Sequence, residues 1–226
     1  MAGRKNFVAG EILTAADVNS FLMDQSVMVF DDSAARTTAI PTPSEGMVTY
    51  RKDDNAVEVF DGSAFGPIGK ILQVVSTTKT NTFSTSSTSF TAVTGLGATI
   101  TPSATSSKVI VMATFSLGNS NTGRSANARI SGGNLGFVGD AAGSRTRAAA
   151  SSGELVLGDF RVDFQPVPVG LSVVDSPATT SATTYSVEIL VGGGAGTVHV
   201  GRSGSDTDTS SRARLASSII LMEVAG

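Results

Sequence analysis

The sequence holds one histidine, His199, in the run TVHV (Thr197–Val200). A serine–histidine–aspartate triad would have to pass through it. Set between Val198 and Val200, it reads instead as a residue of a sheet surface or a subunit contact. Carboxylates offer a second chemistry. Asp206 and Asp208 alternate in SDTDTS, and Asp53 and Asp54 adjoin in an earlier turn, an oxygen set that partly suits a calcium ion. No glycine-punctuated loop closing on a glutamate follows them, and aspartate in turns serves first to bond the backbone. No metal or other cofactor is therefore expected.

Glycoside hydrolysis needs two carboxyl groups flanking the scissile bond, not adjacent in sequence. After residue 70 acidic residues are few (Asp140, Glu154, Asp159, Asp163, Asp175, Glu188, Asp206, Asp208, Glu223), and aromatic platforms for sugars are scarce. The run VGGGAG (Val191–Gly196) lacks the following helix and Lys-Ser/Thr of a phosphate loop and reads as a flexible turn. No enzymatic activity is expected. Arg124, Arg129, Arg145, Arg147, Arg202, Arg212 and Arg214 are spread among segments read as loops or short runs, where they suit anionic glycans or aspartates of a neighbouring subunit.

Those side chains sit on a lightly charged, aromatic-poor chain. Of 226 residues 15% are charged and 6% aromatic, and Trp and Cys are absent. The core must then be a thin one of Val, Ile, Leu and Phe, which association between chains would help to stabilise. A net charge of −3 without a basic stripe excludes the electrostatic footprint of nucleic-acid binding. No apolar run approaches a membrane span, so no membrane insertion is expected. Arg4 and Lys5 precede no apolar stretch, which argues against a signal peptide.

Residues 1–10 read as an irregular arm. The segment GEILTAADVNSFLMDQSVMVF then predicts a helix over Thr14–Val29, with Thr14 as N-cap, Asp17 completing a capping box, and Leu13 and Val18 as a hydrophobic staple. Val18, Phe21, Leu22, Met28 and Val29 would form its apolar stripe. Asp31–Ile40 predicts a second short helix, ended by Pro41 and Pro43. Met47–Arg51 and Ala56–Phe60 alternate around Lys52–Asn55 as a hairpin. Gly66, Pro67 and Gly69 mark a boundary.

Beyond it the texture is that of strands. Ile71–Thr77, Ser89–Val93, Ala98–Thr101, Lys108–Leu117, Phe160–Phe164, Val167–Val174, Thr184–Val191, Thr197–Val200 and a closing run through Ile219–Met222 are predicted. A turn at Gly95/Gly97 would separate the second from the third. Pro166 and Pro168 argue for an edge or a bend. Residues 119–158 would hold the longest surface loops, and Arg202–Arg212 a further polar loop. About nine short strands without a fixed repeat predict an antiparallel β-sandwich or jelly roll. Lys108–Leu117 and Ile219–Met222 read as apolar on both faces, hence as central and covered on both sides.

The segments GEILTAADVNSFLMDQ, DDSAARTTAIPTPSEGMVTYRKDDNAVEVFDGSAF, ILQVVSTTKTNTFSTSSTSFTAVTGLGATITPSATSSKVIV, DSPATTSATTYSVEI and RLASSIILMEVAG resemble modules of tailed-bacteriophage fibre and minor tail proteins. The resemblance implies a homotrimeric virion protein that is mainly β. Residues 1–45 would anchor it to other virion proteins, 46–70 would form a small hairpin module and linker, and 71–226 a β-sandwich head that meets a host-surface glycan or protein. It implies anchor contacts through Phe7, Ile12, Leu13, Val18, Phe21 and Leu22. A trimer core would form at Ile219, Ile220, Leu221 and Met222, and receptor contacts at Arg124, Arg145, Arg147, Arg202, Asp206 and Asp208. Alternatives are a capsid-surface decoration with a structural role and a polysaccharide-degrading spike. Gly66–Lys70 leaves no room for a long shaft, so a short fibre or knob is implied.

Overall fold

The computed structural model describes residues 8–18, 26–69, 71–120, 124–152 and 166–226. They form two compact units, Met1–Lys70 and Ile71–Gly226.

In the first unit Thr14 caps α1 (Ala15–Asp17), accepting from the Asp17 amide at 3.1 Å while the Asp17 carboxylate accepts from the Thr14 amide at 3.2 Å. The predicted helix does not run on to Val29. Met28 and Val29 belong to strand β1 (Met28–Phe30), which pairs in parallel with β2 (Val48–Arg51). β-branched and aromatic side chains suit a pleated surface better than a helix end. A parallel pair needs a crossover, and α2 (Ser33–Ala39) lies within it, capped by the Asp32 carboxylate on the Ala35 amide at 2.8 Å. β2 continues into β3 (Ala56–Phe60) and β4 (Phe65–Pro67), giving the sheet order β1-β2-β3-β4. The anchor and the hairpin module, expected to part near residue 45, thus share one sheet. Glu58, 5% exposed, takes ion pairs from both Arg36 and Arg51. The Arg36 guanidinium also lies 4.3 Å over the Phe65 ring, and Phe65 packs on Phe60 at 5.1 Å. A buried charge persists only when paired, so Glu58 fixes where α2 sits on the hairpin.

The second unit is mainly β and antiparallel. One sheet joins β5 (Ile71–Lys79), β14 (Ser217–Val224), β8 (Lys108–Asn119), β13 (Val198–Val200) and β6 (Phe83–Thr85), with β11 (Val167–Asp175) on the other edge of β8. The other runs β10 (Ala150–Ser152), β9 (Ser125–Ser131), β12 (Thr183–Gly192), β7 (Thr91–Ile100). Between them lies one core containing Leu96, Ile100, Val111, Phe115, Ile130, Val187, Ile219 and Leu221.

Three expectations change here. Ser89–Val93 and Ala98–Thr101 are one strand, β7, and the glycine turn is a bulge within it. Ser186 faces Gly97 and Glu188 faces Ala92, so residues 93–96 oppose Val187 alone, with Gly95 at φ +80°. Ser125–Ser131 is no surface loop but an inner strand, burying Ala126, Ala128 and Ile130. The runs at 108–117 and 219–222 are not covered on both faces. Val109, Val111, Ala113, Ile219 and Leu221 are at most 2% exposed, whereas Met112 is 42% exposed and Ile110, Ile220 and Met222 are half-buried. The alternation is that of a sheet packed on one side. The proline-rich strand lies at an edge, with β11 paired to β8 alone among the described residues. The expected strand Phe160–Phe164 lies outside the described residues.

Two buried carboxylates tie the layers. Asp175 on β11 accepts from the Tyr185 hydroxyl of the opposite sheet at 2.6 Å and from the Asn134 amide at 3.1 Å. Burial, then the Asp175 hydrogen bond and charge, push the phenol above its ordinary value. A Cβ at Gly133 (φ +54°) would stand 1.9 Å from the Asp175 carboxylate. Glu223, the one charged residue on the inner face of β14, is fully buried. It accepts from Gln73 Nε2 at 2.6 Å and from the Ser103 amide and hydroxyl at 2.7 and 2.6 Å. Burial alone would raise its pKa, but the hydrogen bonds outweigh burial and hold it at about 2, below the ordinary 4.5.

A carboxylate whose folded pKa is depressed stabilises the fold fully above its unfolded value. The contribution from Glu223 is lost as pH falls from about 4.5 to about 2. Glu223→Gln should lower stability at pH 7 by about 1–3 kcal/mol and flatten the pH dependence below 4.5, read by urea titration of both proteins at pH 7, 4 and 3.

Candidate functional site

Two surfaces of the second unit stand apart from the ordinary exterior. The first is the outer face of β5-β14-β8-β11. Directly opposed residues share a face, so the register assembles two rows across these strands. Val74, Met222, Ile110 and Val174 form one, and Ser76, Ile220, Met112 and Ser172 the next. Val74 and Val174 are each 58% exposed. A third row, Thr78, Ser218, Thr114 and Gly170, continues it. None of these residues carries a charge. The expected trimer core is thereby divided: Ile219 and Leu221 fill the subunit's own core, and only Ile220 and Met222 face outward. Strand geometry requires this, because successive side chains alternate sides.

The second surface is the loop between β13 and β14. Its ends meet, with the Leu215 amide donating to the Gly201 carbonyl at 3.0 Å, so residues 202–214 form an Ω-shaped excursion. Its first turn lies flat on β8. A Cβ at Gly118 would fall 2.3 Å from the Arg202 carbonyl oxygen, and one at Gly204 2.0 Å from that of Asn119. Glycine at both positions is what permits the approach. The Gly201 amide also donates to the Ser116 hydroxyl at 3.2 Å.

Over this base the charged side chains gather. Asp206 bridges Arg202 at 3.4 Å and Arg214 at 2.7 Å. A cavity of about 180 Å³ opens among them, with Asp208 and Arg212 also in its wall. The structure therefore brings Arg202, Asp206 and Asp208 together, and adds Arg212 and Arg214. It does not bring Arg124, Arg145 or Arg147 to them. Arg124 donates to the Gly193 carbonyl and, at 3.2 Å, to that of Ala195, latching the glycine turn after β12. Arg145 and Arg147 donate to Ala142 at 3.4 Å and Gly139 at 2.7 Å, within their own loop. Arg129 pairs with Glu188 at 2.7 Å above the Phe90 ring.

His199, expected on a sheet surface or in a subunit contact, is buried within its own unit. It is 3% exposed, opposite Gly118 on one side and Ser84 on the other, with Nδ1 2.8 Å from the Ser84 hydroxyl. Nε2 has no hydrogen-bond partner among the described residues. Burial first, then the Arg202 charge, depress its pKa to about 4, against a smaller opposing pull from Asp206. A base of that strength is poorly matched to proton abstraction near neutrality. No group of three or more His, Asp or Glu among the described residues could hold a metal ion.

Of the expected anchor residues, Ile12 and Leu13 are 83% and 49% exposed and Val18 is half-buried. Phe7, Phe21 and Leu22 lie outside the described residues. No helix among the described residues is long and apolar enough to cross a membrane.

No protein-family model and no curated protein matches the chain. A solved structure, "Structure of infectious bursal disease virus Gx strain", is similar at 15% identity with a TM-score of 0.33. The likeness covers 74% of this chain and 40% of that chain, so this chain spans less than half of that neighbour's length.

A histidine held neutral in the fold stabilises it at and above its unfolded pKa, and that contribution is lost as pH falls from about 6.5 to about 4. NMR titration of this single imidazole should find it neutral down to pH 5, with a midpoint near 4. A midpoint near 6.5 would mean that the 201–206 turn does not seal it from water.

Proposed function

We propose that the protein is a virion structural protein: a short homotrimeric fibre or knob, attached through its first unit and presenting the second to a host surface, without catalysis. The observation that carries the reading is the outer face of β5-β14-β8-β11, three rows of aliphatic and hydroxyl side chains with Lys108, opposite Val224, as the charge at its margin. Monomeric proteins rarely leave a contiguous apolar patch of more than a few hundred Å² in water. The paired stretches of these four strands, seven to nine residues each, span roughly 20 by 25 Å. That is roughly 500 Å², the larger part of the ~800 Å² per partner of a stable interface. Around a threefold axis, three copies of this face of serine, threonine and aliphatic side chains would meet with charge confined to Lys108 at its margin. A jelly-roll reading of the head fits the strand orders β5-β14-β8-β11 and β10-β9-β12-β7, and in it the first face points outward.

The sequence resemblance to phage fibre and minor tail modules supplies the setting. Exposed Ile12 and Leu13 in the first unit suit docking on another virion protein. Cryo-electron microscopy of the particle should place three copies about one axis, the first unit toward the particle and the head outward. Absence of the protein from purified particles overturns the reading.

Ile220→Asp should give a soluble, folded monomer by light scattering where the parent is a trimer at micromolar concentration. Ile219→Asp, one residue away, buries an unpaired charge and should cost more than about 4 kcal/mol, leaving no folded head. A monomeric parent, or an Ile220→Asp trimer, removes the outer face from the assembly.

A further inference from the structure

We propose that the cavity in the 202–214 loop binds one acidic sugar residue, a uronic acid or a comparable polyhydroxylated carboxylate. This rests on the reading of the head as an exposed attachment unit and names what it attaches to. The argument is one of chemical fit. Arg202, Arg212 and Arg214 bring three positive charges to the wall, and Asp206 and Asp208 two negative ones. A divalent cation would meet three guanidinium groups. A phosphate would meet two carboxylates. An apolar ligand would find Ala213 as its one aliphatic neighbour. A ligand that carries hydroxyl donors and a carboxylate acceptor on one ring satisfies both signs.

The parts have the required arrangement. Asp208 makes no hydrogen bond or ion pair among the described residues and can accept from two vicinal hydroxyls. Arg202 and Arg214 each meet Asp206 through one terminal nitrogen, and the other N–H groups of a guanidinium match a ligand carboxylate's oxygens. Thr207 and Thr209 line the wall beside them and add hydroxyls that donate or accept. The volume of about 180 Å³ is many times the roughly 10–15 Å³ that a single water needs. It admits one sugar ring, with the rest of a chain left outside. A single-ring site binds weakly, and three copies on one trimer would raise the apparent affinity through effective concentration. The rigid base at Gly118 and Gly204 limits what ordering of the loop would cost on binding.

Isothermal titration of the full-length protein with oligogalacturonate, the matching neutral galactose oligomer and inorganic phosphate tests this. Oligogalacturonate should bind, with the neutral oligomer and phosphate at least about tenfold weaker. Asp208→Asn should weaken uronate binding about tenfold or more with an unchanged melting temperature. Arg214→Met should weaken it too, and selectively against the neutral oligomer. Equal binding of neutral and acidic oligomers, tighter phosphate binding, no saccharide binding, or uronate binding indifferent to Asp208→Asn each overturns the site. A trimeric, particle-borne protein that fails here refutes the sugar site alone, whereas loss of the trimer and of the particle location refutes the attachment reading.

Discussion

The head depends on one pairing. β14 lies between β5, the first strand of the unit, and β8, its longest, so the sheet closes only when residues some 150 positions apart have met. Such closure has a large entropic cost before contacts offset it. The offset is concentrated on a few side chains: Ile219 and Leu221 in the core, and Glu223 reaching Gln73 and Ser103. Shifting β14 by one residue would exchange its faces, placing Ile220 and Met222 inward and Glu223 in water. The buried carboxylate thus fixes register as well as adding stability, since only one alignment gives it three donors.

That register also decides what the exterior offers. Because β14 and β8 alternate rather than sitting between two layers, each has a fully buried side and an outward side on which aliphatic and hydroxyl residues mix. The core is complete within the second unit, and Ile110, Met112, Ile220 and Met222 are left on its outer sheet face. A charge placed inward on either strand would be buried without a partner and break the fold, while one placed outward would leave the core untouched.

The strong strands were legible in the sequence because β-branched residues concentrate in them: Lys108–Leu117, Thr184–Val191 and the closing run all lie within strands. α2 and the hairpin were legible from Asp32, Pro41 and the alternation of Met47–Phe60. β9 was not, because SANARIS offers alanines and an asparagine where β-propensity scales look for valine. Alanine serves there because an inner strand of a thin core needs small side chains. β1 was hidden by the apolar spacing of Met28 and Val29, which fits either period over so short a run. At the candidate site, SDTDTS pointed to Asp206 and Asp208, but the convergence of Arg202, Arg212 and Arg214 on them depends on the loop closing at Gly201 and Leu215, a contact that composition does not encode. The burial of His199 is not legible in TVHV, because its cover comes from the chain immediately following it, pressed against Gly118.

The seating of that loop on β8 has a consequence for how the surface can change over time. Contacts that hold it are made by Gly118, Gly204, Ser116 and the Gly201–Leu215 bond, all at its base. Residues 205–213 at the tip contribute nothing described to the sandwich core. The tip can therefore accept substitutions, and even a change of length, without disturbing strand register or the outer face. Such a division lets one scaffold carry a succession of loop sequences, with mutation confined to a stretch of chain whose failure leaves the sandwich intact.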